Sequence, residues 1–101
     1  SRLEWVVFPN PMSKRLQFKA IGQIPWDIYQ YDLRIFNVLG QQILIKKGNV
    51  TYFSNVDFEL SIDWSEEELA TLIGESVFKL ELLPSKNNET ILISGKITTL
   101  K

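Results

Sequence analysis

The chain has 101 residues, 45% of them hydrophobic, with three Trp, three Tyr and six Phe, which is enough apolar mass for one core and too little for two. Lys and Arg number 11 against 12 Asp and Glu, so no basic footprint for nucleic acid or an anionic membrane exists. Cys and His are both absent, which removes disulfides, thiolate metal sites, Cys nucleophiles and Ser-His-Asp chemistry together. No apolar run approaches the roughly 20 residues of a membrane-spanning helix, so direct membrane insertion is not expected. The start, Ser1-Arg2-Leu3-Glu4, has no signal-peptide pattern and no initiator Met. A piece of a longer protein, residues 1–101 forming one domain, is the expectation.

In chain order, Leu3 to Phe8 is rich in β-formers, and Arg15 to Ala20 alternates with Leu16, Phe18 and Ala20 on one face. The stretch Ile21 to Gln30 breaks the rhythm and reads as the one long connection, with Trp26 beside Pro25 as its exposed aromatic. Tyr31 to Phe36 and Gln42 to Lys46 flank Asn37-Val38-Leu39-Gly40, where Asn stands first and Gly last as a type I turn requires. A hairpin follows. Lys47-Gly48-Asn49 is a further turn signal. Val56 to Asp63 alternates strictly and predicts Val56, Phe58, Leu60 and Ile62 facing inward.

Ser65-Glu66-Glu67-Glu68 is a capping box that predicts a short helix near 65–73, with Leu69, Leu72 and Ile73 as its apolar side and Gly74 as its end. Val77 to Leu82 turns Phe78, Leu80 and Leu82 inward. Pro84 to Asn88 is a turn, and Ile91 to Leu100 a last strand whose Gly95 marks a bulge or a close backbone contact. Seven strands and one short helix give an all-β, immunoglobulin-like antiparallel sandwich.

Catalytic residues, cofactors and metal ligands are not indicated. The acids lie at outward strand positions or in the helix-start run, and Asp57, Glu59 and Asp63 alternate along a single strand, unlike a calcium loop. Trp5, Trp26, Trp64, Tyr29, Tyr31 and Tyr52 form the sandwich filling, except that Trp26 with Tyr29 offers a stacking platform for a sugar ring. Asn49-Val50-Thr51 and Asn88-Glu89-Thr90 match the glycosylation triplet, a pattern common by chance.

Phe8-Pro9-Asn10-Pro11 after a first strand, followed by Leu33-Arg34-Ile35-Phe36-Asn37-Val38-Leu39-Gly40-Gln41-Gln42-Ile43, resembles the type A C-terminal sorting domain of the bacterial type IX secretion system. Phe58 to Ser65, Phe78 to Leu82 and Gly95 to Lys101 resemble its later segments, with Trp64 where Leu is usual and Gly74 farther from Phe78 than the family's pattern has it. The resemblance implies a non-catalytic secretion signal at the end of a larger exported protein, which passes through the periplasm to the cell surface. Its implied partners are the outer-membrane translocon, the sortase that commonly removes the domain, and the parent cargo. Pro9, Asn10, Pro11, Asn37, Gly40, Gly95, Lys96 and Lys101 are the implied recognition residues. The rival expectations are a carbohydrate-binding or adhesive module using Trp26 and Tyr29, and a structural spacer of a surface protein.

Overall fold

The computed structural model describes residues 4–8, 15–21, 24–72, 74–86 and 89–99. Among these residues, seven strands form two antiparallel sheets. They are β1 (Glu4–Phe8), β2 (Arg15–Ile21), β3 (Asp27–Phe36), β4 (Gln42–Tyr52), β5 (Phe58–Asp63), β6 (Gly74–Pro84) and β7 (Ile91–Thr99), with helix α1 (Glu66–Thr71) between β5 and β6. One sheet has the order β1-β2-β5 and the other β4-β3-β6-β7. The chain therefore changes sheet after β2, β4 and β5, the Greek-key connectivity of an immunoglobulin-like sandwich.

Alternation builds the core as expected. Leu16, Phe18 and Ala20 from β2 and Phe58, Leu60 and Ile62 from β5 are buried against Tyr29, Leu33 and Ile35 of β3 and Phe78, Leu80 and Leu82 of β6. Each Leu, Ile and Phe among them contributes about 1.5–3 kcal/mol of burial. Phe58 is the hub, edge-on to Trp5, Tyr29 and Tyr52 at 6.0, 6.3 and 5.4 Å, while Phe18 meets Phe78 at 5.2 Å. These contacts set the sheets in register. Phe58, paired with Ala20, packs on Tyr29 near the start of β3, and Asp63, paired with Arg15, is reached from the other sheet by Lys46, the partner of Leu33.

Three expectations fail, each for a local reason. Lys47-Gly48-Asn49 is no turn, because β4 runs straight through it to Tyr52, with Gly48 paired to Tyr31. A Cβ on Gly48 would sit 2.7 Å from the Tyr31 ring, so this glycine makes room for a cross-strand aromatic. Val56 is exposed and β5 begins only at Phe58. Its amide is bound by Ser54 Oγ at 3.2 Å and its carbonyl by the Tyr52 hydroxyl, which bends the chain there. The connection from Ile21 to Gln30 is shorter than expected, since Asp27 to Gln30 already belong to β3.

The capping box forms with both of its bonds, Glu68 N to Ser65 Oγ at 3.1 Å and Ser65 N to Glu68 Oε1 at 2.9 Å. The helix ends at Thr71 and Leu72 caps it, while Gly74, at φ +73°, opens β6. At Gly95 there is no bulge. Its pairing with Phe78 is regular, and a Cβ there would lie 2.8 Å from the ring, the close contact. Leu3, Ile73, Asn87, Asn88 and Leu100 lie outside the described residues.

Candidate functional site

The turn between β3 and β4 is built by Asn37. Its Oδ1 accepts from the amides of Leu39 and Gln41, both at 3.0 Å, and its Nδ2 donates to Gln41 Oε1 at 2.8 Å. Gly40 donates its amide to Asn37 O at 3.0 Å and adopts φ +83°, the left-handed residue of a three-residue hairpin loop. Asn37 and Gly40 are thus spent on shaping the turn. What the turn presents is Val38 and Leu39, 73% and 81% exposed. Sequence reasoning passed over this apolar tip, although two aliphatic residues between turn-formers was the available signal.

Lys96 belongs to the same end of the molecule. Gln42, Phe36, Val77 and Lys96 form one row across β4, β3, β6 and β7, which sets Lys96 about 10 Å from Phe36 at the usual strand spacing. Gly95 points the other way, under the Phe78 ring, and presents no side chain to a partner. On the other sheet Arg15 donates Nε to Asp63 Oδ1 at 2.6 Å, and this hydrogen bond holds the Asp63 carboxyl below its ordinary value. Pro9, Asn10, Pro11 and Lys101 lie outside the described residues.

An inward-facing lysine ties the sheets together beside this end. Lys46 Nζ donates to Asp63 O at 2.9 Å and to Glu68 Oε1 at 2.8 Å, and lies 5.3 Å from the Trp64 ring centre. The Lys46 hydrogen bond, and then the Ser65 amide, hold the Glu68 carboxyl low. On the outward face of the larger sheet, Asp32 accepts from Arg34 Nε at 3.0 Å, with Lys47 at 3.7 Å. These contacts lower its carboxyl too, against the cost of its partial burial.

The opposite end carries the aromatic candidates, and the structure separates them. Tyr29 is 0% exposed and donates its hydroxyl to Pro25 O at 2.7 Å, so the expected Trp26–Tyr29 stacking platform does not exist. Burial first, and then the charge of Asp27, push the Tyr29 phenol above its ordinary value. Trp26 is 49% exposed, with its indole N–H fixed to Ser54 O at 2.8 Å. Near it Phe53 is 50% exposed, under Lys86 Nζ at 5.5 Å from the ring centre. A cleft of about 390 Å³ opens alongside, lined by Lys19, Tyr52, Ser54, Val56, Asp57 and Glu59. Lys19 Nζ bridges Asp57 and Glu59 at 3.9 and 3.8 Å.

Asp27 is a second residue that sequence reasoning missed. It is fully buried, and its carboxylate accepts from Ile28 N, Ser85 N, Ser85 Oγ and Lys86 N at 2.7, 3.2, 2.5 and 3.2 Å. It fastens the end of β6 to the start of β3. Among the described residues, no three acids converge in a way that could hold a metal ion.

No protein-family model matches the chain, and neither a curated protein nor a solved structure is significantly similar to it. The immunoglobulin-like assignment accordingly rests on strand order and register.

Proposed function

We propose that this domain is a non-catalytic sorting signal, read by the type IX translocon, that carries a parent protein across the outer membrane to the cell surface before a sortase removes it. The observation that carries the reading is the hairpin that matches the family motif. There Asn37 and Gly40 hold a rigid turn, Val38 and Leu39 stand in solvent, and Lys96 occupies the row beside it. Two exposed aliphatic side chains on a fixed loop, near a cation, are a compact surface for a protein receptor. The turn spends no core residue on this task, so recognition can be altered without unfolding the domain.

The test fuses residues 1–101 to a periplasmic reporter in strains with and without an intact type IX translocon. Delivery to the surface in the intact strain alone is expected, with the double variant Val38→Ser/Leu39→Ser cutting it severalfold at unchanged thermal stability. Reporter held in the periplasm of both strains would defeat the reading. Truncation from Lys96 onward is a poorer test, because it removes the buried Ile97 and Thr99.

A second reading, an adhesive or carbohydrate-binding module, is favoured by Trp26, whose ring is held in place by Ser54 and lies beside Phe53 and the Asp57–Glu59 cleft. Glycan-array binding lost on Trp26→Ala would favour it over sorting.

A further inference from the structure

Among the described residues the sandwich has four edge strands, β1, β5, β4 and β7, and three of them are guarded against pairing with another chain by short length, inward charge or a register shift. β1 is only five residues long. β5 is six residues long, alternates Glu59 and Asp63 outward, and has the Asp63 carbonyl occupied by Lys46. β4 turns Lys46 inward, carries Lys47 beside it, and shifts register against β3 next to the hairpin. β7 carries one outward lysine, Lys96, and none of the other devices. It is nine residues long, Ile91-Leu92-Ile93-Ser94-Gly95-Lys96-Ile97-Thr98-Thr99, without proline, with one charge, and pairs with β6 without a bulge from Ile91 to Thr99. Among the described residues its other side pairs with no strand.

We propose that β7 pairs antiparallel with β7 of a second copy of this chain, joining two four-stranded sheets into one of eight about a two-fold axis at Ser94. The choice of occupant follows from the side chains of β7 itself. Directly opposite residues in an antiparallel pair share a face, so an axis at Ser94 sets Ile91 against Ile97 and Ile93 against Gly95 on the inner face. On the outer face Leu92 meets Lys96 of the other copy. Leu92 is 57% exposed and the most exposed apolar residue of the strand, and the aliphatic stem of a lysine covers such a side chain while its ammonium stays in water. Lys96 never meets Lys96, which removes the like-charge repulsion that a lone lysine otherwise imposes on a self-pairing edge. The half-buried Ile91 and Ile93, which pack against the margin of the core, gain cover on their open side. This interface goes beyond the sorting reading and does not depend on it, since delivery and mass are measured separately.

The absence of Cys makes the test direct. Sedimentation of the chain from about 1 to 500 μM, a span covering weak edge contacts, is expected to show a monomer–dimer equilibrium. Leu92→Lys, which faces Lys96 of the other copy twice per dimer, should weaken it about tenfold, and Leu92→Glu should leave it intact or tighten it. Neither substitution touches the core, so circular dichroism should be unchanged in both. Ser94→Cys lies on the axis, at a separation a disulfide spans, and should cross-link under mild oxidation much faster than Ser61→Cys on the other sheet. A monomer at every concentration would overturn the proposal. So would equal effects of Leu92→Lys and Leu92→Glu, or equal cross-linking of the two Cys variants.

Discussion

Gly48 and Gly95 both lie opposite an aromatic ring, but the two rings differ in freedom. The atoms nearest a Cβ at Gly48 are the outer end of Tyr31, a half-buried side chain that can swing outward. At Gly95 the ring is Phe78, buried and wedged against Phe18. Gly95→Ala should therefore cost about 1–3 kcal/mol as an overpacked core. Gly48→Ala should come out near neutral, its contact offset by the roughly 0.5–1 kcal/mol that alanine gains over glycine in an extended strand. Urea unfolding of the two variants ranks them, and equal losses would contradict this account. Asp27 is a larger case of the same local control. Asp27→Asn keeps the shape but turns one acceptor into a donor aimed at amides, so a loss of about 2–4 kcal/mol is expected in the same measurement.

At the level of elements, the ion pairs make stability depend on pH with a defined sign. Asp32, Asp63 and Glu68 are held below their ordinary values by Arg34, Arg15 and Lys46 respectively. In the acid range the folded chain thus binds fewer protons than the unfolded one, and stability rises with pH there. The contribution is complete above the ordinary carboxylate range and is lost as pH falls through the lowered values. Melting temperature should be flat from about pH 7 to 5 and fall below about pH 4. Glu68→Gln removes the only one of the three that clamps the helix to β4, and it should shallow the acid fall. An unchanged slope in Glu68→Gln would show that the Lys46 clamp adds nothing to folding. Alternation revealed where β2, β5 and β6 face, and the capping box revealed α1. Alternation failed at β4, because Gly48 carries turn character in any local reading and only the Tyr31 ring across the strand explains it. It failed for Asp27 in a different way: continuing the phase of Tyr29, Leu33 and Ile35 backward puts residue 27 on the inner face, and only its charge hid that.

Across the whole molecule, what was legible was whatever a strand carries within itself, and what was not was whatever depends on two distant segments meeting. The turn residues Asn37 and Gly40 were visible, yet their effect, the exposure of Val38 and Leu39, appears only once the hairpin is closed. Trp26 and Tyr29 are three residues apart, and the start of β3 sends one outward and the other beneath Phe58. The same architecture puts the hairpin and the aromatic loops at opposite ends of a body 37 Å long. The ten residues of β3 span about 30 Å between them. Gly40→Ala, which forces a left-handed backbone on a residue with a Cβ, should cost about 1–2 kcal/mol at one end. Asp27→Asn acts at the other. Among the hydrogen bonds of the described residues the two sites share no partner, so the double variant should lose the sum of the single losses to within about 0.5 kcal/mol. A larger discrepancy in a double-mutant cycle would mean that strain at the hairpin travels along β3 to the buried carboxylate. In that event the two ends could not serve as independent surfaces, and a change made to test sorting at one would disturb ligand binding at the other.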